Sequence, residues 1–277
     1  MSAEPPASEH WNAYATRWSL VGPPLRPCAS DLTYLRDSVA RLLTAHHVPE
    51  RALLLGVTPE IANLDWPLPL QLLAVDRSAG MVAAVWPGDT AIRRARVGDW
   101  LDLDVPDASF GLVVGDGVFS IFDYPSGYAE LARALARVLR PGGVLSLRLF
   151  CRPEPCETVD AVFDALHARS IGNFHVFKWR LAMALQGQST RGARLADVWD
   201  TFAARVPSSA ELAARQGWPE AQVANIESYR DVDDRYSFST EREVLDVLSE
   251  PFELLETWRP SYELGERCPH VSFRRRG

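Results

Sequence analysis

Three carboxylates, Asp76, Asp99 and Asp116, stand at the carboxyl ends of apolar runs. Asp76 closes Leu70-Gln-Leu-Leu-Ala-Val, Asp99 follows Ala95-Arg-Val-Gly98, and Asp116 follows Phe110-Gly-Leu-Val-Val-Gly115. An earlier run, Ala52–Leu55, ends instead in Gly56, and Pro59 then falls where the first turn of a helix would begin. A strand that turns tightly into a helix N-terminus presents backbone N–H groups and partial positive charge to a ligand. Asp76 lies 20 residues beyond Gly56. A carboxylate at that offset is placed to accept hydrogen bonds from ribose hydroxyls.

Other residues could meet a substrate, and each also has a plain structural reading. Trp11, Tyr14 and Trp18 have helical spacing and precede Gly22-Pro-Pro-Leu-Arg-Pro27, which cannot be helical. They form either a strap on the core or a lid over a pocket, with Tyr14 and Arg26 as its polar contacts. Phe119, Phe122 and Tyr124 follow Asp116 and either wall a pocket or fill a core. His175-Val-Phe-Lys-Trp-Arg180 gathers a candidate base, two cations and aromatic surface; Lys178 and Arg180 suggest an anionic acceptor, or a solvated face. His167 is a second candidate base. His46-His47 ends a helix, where positive charge is favourable, and needs no further role. No Asp, Glu, His or Cys group has metal-ligand spacing.

The elements that position these residues alternate. The reading is a helix from Ser30 as N-cap, a strand to Leu55, a strand to Asp76 and a helix Ala79–Val85 capped by Ser78. A strand near 95–99, a strand Phe110–Gly115, a helix Tyr128–Leu139 stopped by Pro141-Gly-Gly143, and a strand Val144–Phe150 follow. Short links between them imply a doubly wound α/β sheet, mostly parallel. From Cys151 to Asp234 the pattern is helical with no convincing strand: about 158–169, 176–185, 195–206 and 219–229. Ser208-x-x-Glu211 and Thr240-x-x-Glu243 fit capping boxes. Helix Glu241–Leu248 and strands Phe252–Trp258 and His270–Arg274 close the chain, the last strand antiparallel. The expected division is a strap or lid at 1–29, a Rossmann-like domain at 30–150 and 235–277, and a helical cap at 151–234, over the ligand crevice.

The 277 residues are 47% hydrophobic with a net charge of −7. That supports a sizeable core and argues against nucleic-acid binding, which needs a basic face. Residues 1–10 read as a disordered end without a secretory signal, no run reaches the ~18 apolar residues of a membrane span, and four cysteines without paired spacing read as free thiols of a cytoplasmic protein.

This pattern resembles the class I S-adenosylmethionine-dependent methyltransferases, strongly over 50–150. The Leu135-Ala-Arg-Val-Leu-Arg-Pro-Gly-Gly143 helix and turn carries most of the resemblance, and the closing strand pair sets it apart from nicotinamide-binding folds. The resemblance implies S-adenosylmethionine as cofactor, cradled by Gly56, Val57, Thr58 and Glu60. It further implies the ribose on Asp76 with Arg77 and Met81 nearby, adenine against Gly98, Asp99 and Trp100, and the sulfonium beside Asp116 and Gly117. The family's first turn usually has three spaced glycines and an acid two residues before the first. Here Leu54 replaces the acid, and Thr58 and Glu60 replace the later glycines.

The expected function is methyl transfer to an oxygen or nitrogen of a small organic molecule. Catalytic candidates are His175 and Asp116, and acceptor contacts are Tyr14, Trp18, Arg26, Phe119, Tyr124, Lys178 and Trp179. Two other readings stand beside it: a non-catalytic cofactor-binding sensor or scaffold, and an RNA or protein methyltransferase with an open crevice. A homodimer through the apolar cap is also open.

Overall fold

The computed structural model describes residues 9–44, 50–66 and 70–277. Most of the expected disordered end and His46-His47 lie outside the described residues. Helices α1 (Glu9–Thr16) and α2 (Ala29–Thr44) lead into β1 (Arg51–Leu55), α3 (Pro59–Ala62), β2 (Gln71–Asp76), α4 (Ala79–Val85), β3 (Arg93–Val97) and β4 (Phe110–Asp116). Next come α5 (Ser126–Val138), β5 (Leu139–Arg148), α6 (Val159–His167), α7 (Phe174–Gln186), α8 (Leu195–Arg205), α9 (Ser209–Gln216) and α10 (Glu220–Ala224). Helix α11 (Glu241–Leu248) and strands β6 (Phe252–Trp258) and β7 (His270–Arg275) close the chain.

These seven strands form one sheet in the order β3-β2-β1-β4-β5-β7-β6. The first four pairings are parallel, and β7 runs antiparallel to both β5 and β6. Because successive side chains of a strand point to opposite faces, β1 feeds two cores. Ala52 and Leu54 join one with α2, α4 and the helices α6–α9, while Leu53 and Leu55 join the other with α5 and α11. The central strands are buried on both faces, which is why they read as continuous apolar runs. β3 is an edge, and Arg93, Arg94 and Arg96 keep it soluble.

Several local expectations change. Ser30 does not cap α2: it is the second residue of the helix, which begins at Ala29, and the Asp31 carboxylate accepts the Cys28 N–H at 2.8 Å. Ser78 does cap α4, accepting from the Met81 N–H at 3.1 Å. At Ser208 only half of the expected box forms, its hydroxyl accepting from the Glu211 N–H, whereas the Thr240–Glu243 box is reciprocal. The expected helix over 219–229 breaks into α10 and a 3₁₀ turn, Asn225–Tyr229. The segment read as lacking strands carries a two-residue antiparallel ribbon, Ala193–Arg194 with Arg235–Tyr236. Two residues are too short to show alternation in a sequence.

Candidate active site

The carboxyl ends of β1, β2 and β4 meet at a cavity of about 340 Å³. Gly56 ends β1 at φ +90°, a left-handed conformation that favours glycine, and donates its N–H to the Val75 carbonyl at 2.8 Å. A Cβ built on it would sit 3.8 Å from both Asp76 Oδ2 and Trp100, so the turn brings backbone, acid and indole to one place. Asp76 accepts the Ser78 N–H through Oδ1 at 2.8 Å, and burial raises its pKa. Asp99 accepts the Leu101 N–H at 2.9 Å, and Trp100 donates its indole N–H to the Val75 carbonyl at 2.6 Å. Gly117 follows β4 in the left-handed region at φ +65°, where a Cβ would stand 2.4 Å from the Phe150 ring. Only glycine turns the chain there without moving that ring.

Asp116 borders the same cavity and is held from behind. Arg148, on β5, donates to both of its oxygens at 2.6 and 3.0 Å, and also to the Pro24 carbonyl and the Tyr262 hydroxyl. Asp31 stands 3.8 Å from the same guanidinium with its side chain fully buried. It takes hydrogen bonds from the Tyr262 hydroxyl, the His270 ring and the Cys28 N–H. Despite its burial, these donors and the Arg148 charge hold its pKa down to about 2. One buried arginine thus ties the strap at Pro24 to the carboxylate on the cavity floor.

Of the expected cofactor contacts, Gly56, Val57, Thr58, Asp76, Arg77, Met81, Asp99, Trp100, Asp116 and Gly117 all border the cavity. Glu60 and Gly98 do not. Glu60 lies in the first turn of the short α3 and pairs with Arg26, whose guanidinium also bonds the Trp18 and Val21 carbonyls. Gly98 faces Val75, 3.1 Å from a built Cβ.

Of the expected acceptor contacts, Tyr14, Trp18 and Trp179 border the cavity, and Arg26, Phe119, Tyr124 and Lys178 do not. Phe119 packs against Tyr128 in the second core, and Tyr124 borders a separate surface cleft. Lys178 is wholly buried, its Nζ 4.6 Å from the Tyr229 ring, and burial lowers its pKa to about 7; it is not the solvated cation that the sequence suggested. Arg180 is paired with Glu157. His175 lies outside the cavity lining: its Nε2 accepts the Gly22 N–H at 3.1 Å, and burial drops its pKa to about 3. As placed, it is a neutral clasp for the strap.

The sequence reading missed Phe150 and Tyr236, which also border the cavity. Phe150 was findable, since it follows β5 at the same sheet edge as Asp116; Tyr236, in the ribbon, had no local signal. Arg148 was missed although it is the one charge in the apolar run Val144–Phe150, and a buried charge must have a partner.

The nucleoside end of the cavity fits the implied cofactor: a glycine turn, an acid after β2, an acid after β3, and Met81, Trp100 and Leu101 as apolar surface. Residues 53–147 match the methyltransferase domain family. The matched stretch covers the strands and turns that carry the sequence's resemblance to the class I S-adenosylmethionine-dependent methyltransferases. The match ends at Leu147, one residue before Arg148 closes β5. No curated protein matches the sequence significantly. Among solved structures, a protein of Rhodobacter sphaeroides titled a putative Zn-dependent alcohol dehydrogenase is similar at 12% identity and TM-score 0.61, covering 97% of this chain and 98% of its own. The putative methyltransferase of Haloferax volcanii, solved with the Trm112 methyltransferase activator, is similar at 12% identity and TM-score 0.51, covering 96% and 98%. The N-methyltransferase NodS of Bradyrhizobium japonicum, solved with S-adenosyl-L-homocysteine, is similar at 12% identity and TM-score 0.49, covering 95% and 98%. At such identities the likeness is one of fold. Among the described residues no helix is long and apolar enough to cross a membrane.

Proposed function

We propose that the enzyme methylates a small organic molecule at an oxygen or nitrogen, with the acceptor in the aromatic half of the cavity. The observation that carries this reading is the division of one cavity between two kinds of wall. Asp76, Asp99 and the Gly56–Thr58 backbone stand on one side; Trp11, Tyr14, Trp18, Phe150, Trp179 and Tyr236 stand on the other. S-adenosylmethionine, when bound, supplies a methyl group on a sulfonium, which a lone pair can displace. The chain's own task is then alignment and exclusion of water.

Asp76 would hold the ribose, Asp99 the adenine edge, and the Gly56 turn the methionine portion. Asp116, fixed by Arg148, would orient the reacting groups without moving. The aromatic wall and the strap exclude water, and the strap is clasped at three points: Arg26 to Glu60, Gly22 to His175, and Pro24 to Arg148. A walled cavity of this size favours a small acceptor over a folded RNA or protein. The experiment is a scan of small acceptors with purified enzyme, reading S-adenosylhomocysteine release. Turnover of any low-molecular-weight acceptor supports the reading, whereas release only with RNA or protein substrates refutes it.

A further inference from the structure

The acceptor half of the cavity has a character that narrows the substrate class, given the methyltransferase reading above. Its wall is a continuous chain of aromatic rings. Trp18 meets Tyr14 at 5.9 Å between centroids, Tyr14 meets Trp11 at 5.5 Å, and Trp11 meets Tyr236 at 6.4 Å. Tyr236 meets Trp179 at 5.0 Å, and Trp179 meets Phe150 at 5.4 Å. All five contacts are edge-to-face, so neighbouring rings brace one another at steep angles.

The charges around this wall have one prevailing sign. Asp76, Asp99 and Asp116 border the cavity, and Arg77 is its single cation among the described residues. Past Trp11, Arg77 and Tyr236 the cavity adjoins an outer cleft bordered by Asp123, Glu130, Asp233 and Asp234, with Arg77 and Arg235. Lys178 and Arg180, the residues that suggest an anionic acceptor in the sequence, are elsewhere: Lys178 is sealed beneath the Tyr229 ring and Arg180 is paired with Glu157, while Arg26 is paired with Glu60. A carboxylate or phosphate on the acceptor would therefore meet a net negative surround, with Arg77 as the single bordering cation among the described residues.

Proton-accepting groups are also scarce. Among the described residues no His, Lys or Cys borders the cavity, and Asp116 is engaged at both oxygens by Arg148. A phenol or alcohol must lose a proton as it attacks, whereas an aryl amine is uncharged at neutral pH: its lone pair would form the N–C bond as the methyl–sulfur bond breaks, S-adenosylhomocysteine would leave, and the methylated cation would then release its proton to solvent. Aromatic faces and carboxylates also suit the positive charge that such a nitrogen gains.

We propose that the aromatic chamber selects a flat aryl or heteroaryl amine, and that it discriminates against carboxylates and phenols. Three probes of matched size test this: 1-naphthylamine, 1-naphthol and 1-naphthoate. Their binding to the full chain saturated with S-adenosylhomocysteine is read calorimetrically and by tryptophan fluorescence, and methyl transfer is read separately at pH 7. Saturation with S-adenosylhomocysteine is measured first, so that its failure removes the cofactor reading and not this one. The expected result is at least tenfold tighter binding of the amine than of the carboxylate, and methylation of the amine but not the naphthol. Trp179→Leu should weaken amine binding at least tenfold while changing the S-adenosylhomocysteine Kd less than threefold. Trp11→Ala, at a half-buried position on α1, gives the same reading if Trp179→Leu does not fold. Naphthoate binding as tightly as the amine, naphthol methylated as fast, or amine binding unchanged in the variant that folds would each overturn the proposal.

Discussion

Replacing Arg148 by Met removes a guanidinium whose side chain is only 2% exposed and leaves two carboxylates, Asp31 at 0% and Asp116 at 7%, facing one another without a cation. It also removes the donors to the Pro24 carbonyl and the Tyr262 hydroxyl. Breaking a buried pair by deleting one partner costs about 3–5 kcal/mol, because the surviving charge stays desolvated. In a chain of this size that is a fall in melting temperature of about 6–10 °C. The sign of the pH dependence is fixed by the same geometry. In the native protein Asp31 is held to about 2, so it stays charged at pH 5. In the variant Asp31 loses the Arg148 charge that helps to hold its pKa down, so the folded form takes up a proton more readily and the deficit shrinks as the pH is lowered from 7 toward 4–5. Urea unfolding of the two proteins, followed by tryptophan fluorescence at both pH values, reads this directly. The double variant with Asp31→Asn should recover part of the loss at pH 7. A deficit below about 1 kcal/mol at pH 7, or one that does not change with pH, would refute the account of a buried charge cluster behind the site.

Asp76→Ala should weaken S-adenosylmethionine binding by about 1–3 kcal/mol, the cost of leaving buried hydrogen-bonding groups unpaired; an unchanged calorimetric Kd would mean that the ribose lies elsewhere. His175 has a folded pKa of about 3 against 6.5 for the free side chain. The unfolded chain therefore binds its proton first, and stability should fall between about pH 6.5 and 3 at up to ~1.4 kcal/mol per pH unit from this residue. His175→Gln, which can still accept the Gly22 N–H, should flatten that slope in urea unfolding at graded pH; an unaltered slope would remove His175 as its source. Gly117→Ala should cost about 1–3 kcal/mol, from left-handed backbone and contact with Phe150, and a melting temperature equal to that of the native protein would show that the ring moves freely.

Much of the sheet was legible because its central strands are buried on both faces and so appear as uninterrupted apolar runs, with Gly56, Asp76 and Asp116 marking their carboxyl ends. The cofactor side of the cavity follows from those ends, since neighbouring parallel strands bring their termini together. The acceptor side did not follow. Trp11, Phe150, Trp179 and Tyr236 come from four distant segments, and only the packing of the strap and the ribbon against α7 unites them. The candidate base His175 was misplaced for a related reason. Its neighbours Lys178 and Trp179 share a helix that is buried nearly all round, so sequence could not tell which face meets the cavity. Ser30 illustrates a smaller failure: two acceptors one residue apart compete for the helix start, and Asp31 prevails because Tyr262, His270 and Arg148 fix its carboxylate.

The central claim is that the altered first turn, with Leu54, Thr58 and Glu60 at positions usually held by an acid and glycines, still forms a cofactor site around Gly56 and Asp76. Calorimetric titration of the purified chain with S-adenosylmethionine and, separately, with S-adenosylhomocysteine tests it most directly. The account predicts that both bind in the micromolar range, about −8 kcal/mol. Failure of both to bind at millimolar concentration would contradict it.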